Sequence, residues 1–171
     1  TEAGFLEQLK RFEGFSRHMY LDTRANVTIG TGLLLASADA AVAAGLGFTL
    51  RQSGAPATDA AVRDDYDSVA GAPPARYPPS EYVPYTDLVA SLAALNDELA
   101  ARVDTARDDA RAYDARFDDY PASVRYGLLD LAFNLGRPGL LEYRRLRAAL
   151  PHAAAPAPVR PRRHKCLRGI E

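Results

Sequence analysis

The sequence has one cysteine, no tryptophan, one methionine and three histidines among its 171 residues. A single cysteine, Cys166, excludes an internal disulfide framework and every zinc site that needs several cysteines. The spacing of His18, His152 and His164 matches no metal-binding signature. No run approaches the ~20 consecutive apolar residues of a membrane span, and no basic-then-apolar export signal is present. The sequence therefore predicts a protein with no metal site and no membrane span.

The composition is that of an ordinary globular protein, with 47% apolar and 25% charged residues. A folded chain of about 150 residues buries roughly 70% of its unfolded surface, so its core needs neither a disulfide nor a metal. We expect one domain, either undivided or built from two lobes.

The net charge of −1 conceals a separation of charge along the chain. Residues 57–119 carry 14 acidic and 6 basic side chains, whereas residues 144–171 carry 8 basic side chains and one acidic side chain. The basic end either attracts phosphates or an anionic cell wall, or it complements the acidic middle of the chain. Proline and alanine rather than aromatic residues separate the bases, so nucleic acid is not an expected partner.

Hydrophobic periodicity predicts a mostly helical chain. Apolar residues at helical spacing indicate helices over residues 3–13, 37–44, 58–70, about 86–113, 121–135 and 138–150. Ser37, Thr58 and Thr86 are the predicted N-caps, and Gly136 and Pro151 are the predicted ends of the last two helices. Residues 151–163 are almost wholly Pro, Ala and Arg, which is typical of a poorly ordered linker.

A small β element is predicted near the beginning of the chain. Strand-favouring residues between positions 15 and 32 flank turn-forming residues at 22–26, which indicates a hairpin or a small sheet. The five prolines between Gly71 and Pro84 indicate a mostly non-helical segment. The predicted fold class is α+β, mostly helical.

Three polar residues lie around the predicted hairpin: Glu13 at the end of the first helix, Asp22 in the hairpin and Thr28 on its second strand. Two carboxylates on facing elements suit acid–base hydrolysis of a glycoside, because one protonates the leaving oxygen and the other activates or orients a water. A hydroxyl between them can hold that water. The partial negative charge at a helix C-terminus favours the protonated Glu13 that a general acid needs. The same residue types in such places are also common without catalysis.

The neighbouring residues resemble the phage-type lysozyme family of glycoside hydrolases. That family reads Phe-Glu-Gly, Tyr-x-Asp and Thr-Ile-Gly-x-Gly, with its catalytic residues spaced Glu-x8-Asp-x5-Thr. The matching stretches here are Phe12-Glu13-Gly14, Tyr20-Leu21-Asp22 and Val27-Thr28-Ile29-Gly30-Thr31-Gly32. Farther along, Ala132-Phe133-Asn134-Leu135-Gly136 is similar to the family's Ala-Phe-Asn-x-Gly helix end, and Leu167-Arg168-Gly169-Ile170 resembles a weaker C-terminal motif.

The resemblance implies a two-lobed fold with a cleft, in which residues 1–56 form the lobe with the hairpin, residues 57–150 a helical lobe and residues 151–171 a tail. It implies hydrolysis of the β-1,4 bond between N-acetylmuramic acid and N-acetylglucosamine in peptidoglycan, without metal or cofactor. Glu13 would be the general acid, Asp22 the base or the stabiliser of positive charge, and Thr28 the holder of the attacking water. Asn134 and Tyr20 would contact sugar, although Tyr20 could equally be a core aromatic and Asn134 a helix cap.

The sequence departs from the family at Ala25, in the long middle of the chain and at its C-terminal motif. Ala25 stands where many relatives have glycine, and the chain ends before the further arginine that relatives place beyond the Arg-Gly-Ile motif. The long Pro-rich and acidic middle is more like the versions found in secreted antibacterial effectors, whose partners would include an immunity protein and the secretion or phage machinery. The expected place of action is the bacterial cell wall, in the periplasm or outside the cell. The alternative hypothesis is an inactive peptidoglycan-binding or scaffold domain of the same fold.

Overall fold

The computed structural model describes residues 2–74 and 78–153, which divide into a first unit ending at Thr105 and a second unit beginning at Ala106. The lobe boundary at residue 56 that the resemblance implies stays a prediction. Residues 49–50 form a sheet with residues 88–89, so strand pairing links the two sides of that boundary within the first unit. Most of the predicted linker, Cys166 and the Leu167–Ile170 motif lie outside the described residues.

The first unit begins with a helix and a small antiparallel sheet. Helix α1 spans Glu2–Glu13, and strands β1 (Ser16–Leu21), β2 (Val27–Gly30) and β3 (Leu33–Leu34) follow in that order across the sheet. The predicted first helix and hairpin are confirmed. The third strand exists because Gly30 and Gly32, with φ angles of 63° and 72°, turn the chain back on itself.

Two helices of the first unit begin at the predicted caps. Helix α2 spans Ala38–Ala43, and the Ser37 hydroxyl accepts a hydrogen bond from the Ala40 amide at 3.1 Å. Helix α3 spans Asp59–Ala70, and the Thr58 hydroxyl accepts from the Ala61 amide at 3.2 Å. Both caps satisfy a backbone donor that the helix itself leaves unpaired.

The predicted start of the long helix at Thr86 is wrong. Helix α4 spans Leu92–Tyr113, and the Thr86 hydroxyl donates to the Asp65 carboxylate at 2.7 Å instead of capping a helix. Strand β5 (Leu88–Val89) pairs with β4 (Thr49–Leu50), so these residues are extended. The helix can begin only where this pairing ends, at Ser91, whose carbonyl accepts from the Leu95 amide at 3.1 Å.

The proline-rich segment also contains a short helix that the sequence did not indicate. A 3₁₀ helix runs over Pro79–Tyr85, with proline at its start, where a missing N–H costs nothing. The core of the first unit combines residues from the sheet, α2, α3, this 3₁₀ helix and α4. Its buried members are Met19, Tyr20, Leu21, Val27, Ile29, Leu35, Ala41, Leu46, Phe48, Val62, Val69, Ala72, Tyr82, Leu88, Ala90 and Leu95.

The second unit is helical. After the end of α4, a 3₁₀ turn at Phe117–Asp119 leads into α5 (Ala122–Leu141) and α6 (Arg144–Ala153). Gly136 interrupts α5 with non-helical angles of φ 62° and ψ 174°, which confirms the predicted end of a helix there. The prediction that Pro151 ends the last helix is wrong. Pro151 lies within the final turn of α6, and the helix continues for two more residues. The piece that follows Gly136 ends at Leu141, so the predicted helix 138–150 is two segments.

The observed fold class agrees with the α+β, mostly helical prediction. None of the helices in residues 2–74 and 78–153 is both long and apolar enough to cross a membrane.

The buried carboxylate of Asp65 provides a test of what joins α3 to the second sheet. It accepts from the Thr86 hydroxyl and from the Asp87 amide, both at 2.7 Å. We expect Asp65→Ala to lower the free energy of unfolding by about 2 kcal/mol, because the buried Thr86 hydroxyl and the partly buried Asp87 amide lose their acceptor. Urea denaturation measures this change. The control, Asp64→Ala on the exposed face of the same helix, should change the free energy by less than about 0.5 kcal/mol, and equal effects would contradict the assignment.

Candidate active site

The turn between β1 and β2 is closed by backbone hydrogen bonds around a three-residue loop. The Asp22 amide donates to the Asn26 carbonyl at 2.9 Å, and the Ala25 amide donates to the Asp22 carbonyl at 3.0 Å. Three-residue hairpin loops typically place their last residue in the left-handed region. Ala25 does so, with φ at 61°. Alanine thus adopts here the backbone conformation that glycine would take without strain.

The carboxylate of Asp22 is held by the same turn. Its Oδ1 accepts from the Arg24 and Asn26 amides, each at 2.8 Å, and its Oδ2 accepts from the Asn26 side-chain amide at 3.1 Å. Partial burial raises the pKa of Asp22, but the hydrogen bonds from Asn26 and Arg24 outweigh it and hold the pKa below its usual value. The carboxylate is therefore ionised at neutral pH and is a weak base.

Thr28 lies on β2, two residues after Asn26, the residue that binds the Asp22 carboxylate. It pairs with Tyr20 of β1 and with Leu34 of β3. Its hydroxyl donates to the Asn26 carbonyl at 3.1 Å, so the oxygen of that hydroxyl retains lone pairs that can accept from a water. Thr28 itself is buried, whereas Leu34 is 55% exposed. Because paired residues share a face of the sheet, the face that carries Thr28 is open to solvent on the β3 side.

Tyr20 shares the face of Thr28 on the β1 side, where the sheet is covered. It is 4% exposed and belongs to the core of the first unit. Of its two predicted roles, packing in the core is the one that this burial favours. A sugar ring stacks on an aromatic face that solvent can reach, and the ring of Tyr20 presents little such surface.

Glu13 is the last residue of α1, as predicted. Gly14 follows it with φ at 80°, which ends the helix in the left-handed conformation and leads into β1 two residues later. The side chain of Glu13 lies outside the described part of the structure. One turn earlier, Lys10 contacts Glu7 at 2.9 Å and lies 5.7 Å from the centre of the Phe15 ring. The ion pair with Glu7 thus holds the Lys10 ammonium toward the preceding turn.

Asn134 belongs to the second unit, on α5, two residues before the break at Gly136. Its side chain is exposed, and its amide donates to the Asp130 carbonyl one turn back at 3.0 Å. This contact is local to the helix and engages only one of the two amide hydrogens. Both the sugar contact and the helix-end role remain predictions for Asn134.

Two contacts of the hairpin were not predicted from the sequence. The Asn26 side chain binds Asp22, and the spacing of an aspartate and an asparagine around a turn could have indicated it. Arg102 of α4 donates through Nη1 to the Thr31 carbonyl at 2.9 Å. No local pattern signals that contact, because it joins residues 71 positions apart.

Within residues 2–74 and 78–153, no three His, Cys, Asp or Glu side chains are grouped so that they could hold a metal ion. No protein-family model matches the chain, and a search of curated proteins finds no significant match. The likeness to phage-type lysozymes therefore rests on the sequence motifs alone and stays a prediction.

The left-handed Ala25 provides a test of the turn. We expect Ala25→Gly to raise the free energy of unfolding by about 0.5–1 kcal/mol, because glycine adopts a positive φ without the clash that an L side chain makes. Thermal or urea unfolding measures the change. The control, Ala101→Gly on the exposed face of α4, should lower the free energy by about 1 kcal/mol. A loss of stability in both variants would contradict the turn geometry.

The lowered pKa of Asp22 predicts a pH dependence. Compared with Asp22→Asn, the wild-type protein should gain stability from the ionised carboxylate at pH values above 3.8, the usual pKa of aspartate. That advantage should disappear as the pH falls through the lower pKa of the folded state. Chemical denaturation of both proteins between pH 7 and pH 2 measures the difference. A difference in stability that stays constant over this range would show that the Asp22 pKa is not lowered by folding.

Proposed function

We propose that the chain is a muramidase that hydrolyses the β-1,4 bond between N-acetylmuramic acid and N-acetylglucosamine in peptidoglycan. The observation that carries the proposal is the placement of Asp22 and Thr28 on one hairpin directly after Glu13, with the family's spacing between all three. The roles of the three residues are those that the resemblance implies.

Glu13 is the general acid in this proposal. A general acid must be protonated before the reaction and give its proton to the leaving glycosidic oxygen. The C-terminal end of α1, where Glu13 lies, carries partial negative charge that disfavours a second negative charge.

Asp22 is better suited to stabilising positive charge than to removing a proton. Its hydrogen bonds from Arg24 and Asn26 keep it ionised, and an ionised carboxylate favours the oxocarbenium-like transition state of glycoside hydrolysis. Of the two roles that the resemblance offered, the hydrogen bonds of Asp22 favour this one.

Thr28 holds the attacking water in this proposal. Its hydroxyl proton is directed at the Asn26 carbonyl, which orients the oxygen lone pairs for a hydrogen bond from water. Direct attack by that water would invert the anomeric centre, with the glycosidic C–O bond breaking as the new C–O bond forms. The attacking water becomes strongly acidic as it bonds to the sugar, so even a weakly basic, ionised Asp22 can accept the proton that it loses. The substrate is then a polysaccharide strand of the bacterial cell wall, the expected place of action.

Substitution of Glu13 tests the proposal. We expect Glu13→Gln to slow the clearing of a peptidoglycan suspension by at least about 100-fold, because the amide cannot donate the proton that a general acid supplies. The control is Glu7→Gln, an exposed position on the same helix, which should clear within about twofold of the wild type. Equal clearing by wild type and Glu13→Gln would end the assignment of Glu13.

Mass spectrometry of the released muropeptides separates the alternatives. Saturated, reducing muramic acid ends would support hydrolysis, whereas anhydro ends would indicate a lytic transglycosylase. Pelleting of the wild-type protein with peptidoglycan and no new reducing ends would identify an inactive wall-binding domain.

A further inference from the structure

An arginine of α4 is fixed to the end of the strand that carries Thr28. Arg102 donates through Nη1 to the Thr31 carbonyl at 2.9 Å, and its Nε lies 3.6 Å from the Glu98 carboxylate one helical turn earlier. The side chains of Arg102 and Glu98 are 30% and 19% exposed. Both are partly shielded from water, which strengthens a charge-assisted hydrogen bond relative to one on the open surface.

The Thr31 peptide has few other means of being held in place. It lies between Gly30 and Gly32, both with positive φ, where the backbone is the least restricted by side chains. Its hydroxyl is buried and has no hydrogen-bond partner among the described residues. The carbonyl that Arg102 binds is therefore a polar group of Thr31 through which α4 can fix this turn.

The packing around Gly30 shows how closely α4 approaches the strand. A Cβ atom at Gly30 would lie 3.2 Å from Cδ2 of Leu95, a residue two turns before Arg102 on α4. Leu95 thus contacts the end of β2 through apolar packing, and Arg102 contacts it through a hydrogen bond. A shift of either contact would move the end of β2 at Gly30, two residues beyond Thr28, and the adjoining Thr31.

We propose that Arg102, oriented by Glu98, is a positioning residue for the reaction: it fixes the end of β2 against α4 and so sets the position of the Thr28 hydroxyl. This inference rests on the proposed muramidase function. Small displacements of a group that holds a reacting water reduce the rate of the chemical step more than they weaken binding.

The energetics of the pair agree with a positioning role. Burial raises the pKa of Glu98, and the nearby Arg102 charge offsets that effect only in part. A carboxylate in such a place adds little net stability, because desolvation opposes the attraction between the charges. The benefit of the pair is then the fixed direction of the guanidinium group.

Removal of the guanidinium group tests the inference. With soluble peptidoglycan fragments as substrate, we expect Arg102→Met to lower kcat about 10-fold while KM stays within about twofold. Arg102→Lys retains a cation that can reach a carbonyl, and it should recover a large part of kcat. The matched control is Arg51→Met, which removes another arginine-to-carbonyl hydrogen bond of the first unit, from Arg51 to Thr86 at 3.4 Å. A kcat loss of equal size in Arg51→Met and Arg102→Met would overturn the inference.

A measurement without substrate separates this inference from the proposed function. Amide hydrogen exchange reports the hairpin directly, for example at Leu35, whose amide donates to the Val27 carbonyl at 2.9 Å. We expect exchange at Leu35 to be about 10-fold faster in Arg102→Met and unchanged in Arg51→Met. Unchanged exchange in Arg102→Met would overturn the positioning role. A wild-type protein that releases no reducing ends would overturn the muramidase proposal, and the exchange result would still show whether Arg102 fixes the hairpin.

Discussion

The hydrogen bonds that Asp22 accepts within its own turn are the constraint on which the hairpin depends. Two backbone amides and one side-chain amide converge on a single carboxylate, and the turn they close brings β2 back beside β1. The same three donors keep that carboxylate ionised. Local folding and the proposed chemistry therefore both require an ionised Asp22. Hydrogen bonds, rather than a neighbouring arginine or lysine side chain, are the main support of that negative charge.

Prediction from sequence succeeded where structure is decided within a few residues. The Ser37 and Thr58 caps and the hairpin all depend on contacts between residues four or fewer positions apart. Thr86 had the same local pattern as a cap but lies in an extended segment, because a strand forty residues earlier pairs with the residues that follow it. A tertiary contact of this kind overrides helix propensity and cannot be read from a window of neighbouring residues.

The residues of the candidate site also separate into those set by local contacts and those set by contacts distant in the sequence. Asp22 and Thr28 were predicted together because they fall in one short motif, whose spacing matches that of the family it resembles. The two readings of Tyr20 could be separated only by its burial, which depends on elements distant in the sequence. Arg102 was missed because a hydrogen bond across 71 positions leaves no periodic or motif-level trace. Asn134 lies in the second unit, and its matching motif indicates a helix end more directly than it indicates a ligand contact.

The conformation of Gly136 affects how the Ala-Phe-Asn-Leu-Gly motif should be interpreted in other proteins. Its φ of 62° and ψ of 174° fall in a region that is essentially restricted to glycine, although a methyl group there would meet nothing closer than 3.8 Å. Backbone geometry alone is thus enough to preserve glycine at this position, whether or not the protein cleaves a glycan. A diverged homologue that retains the Ala-Phe-Asn-Leu-Gly stretch would show that it keeps the shape of the helix break, and only its carboxylates could indicate that it is still an enzyme.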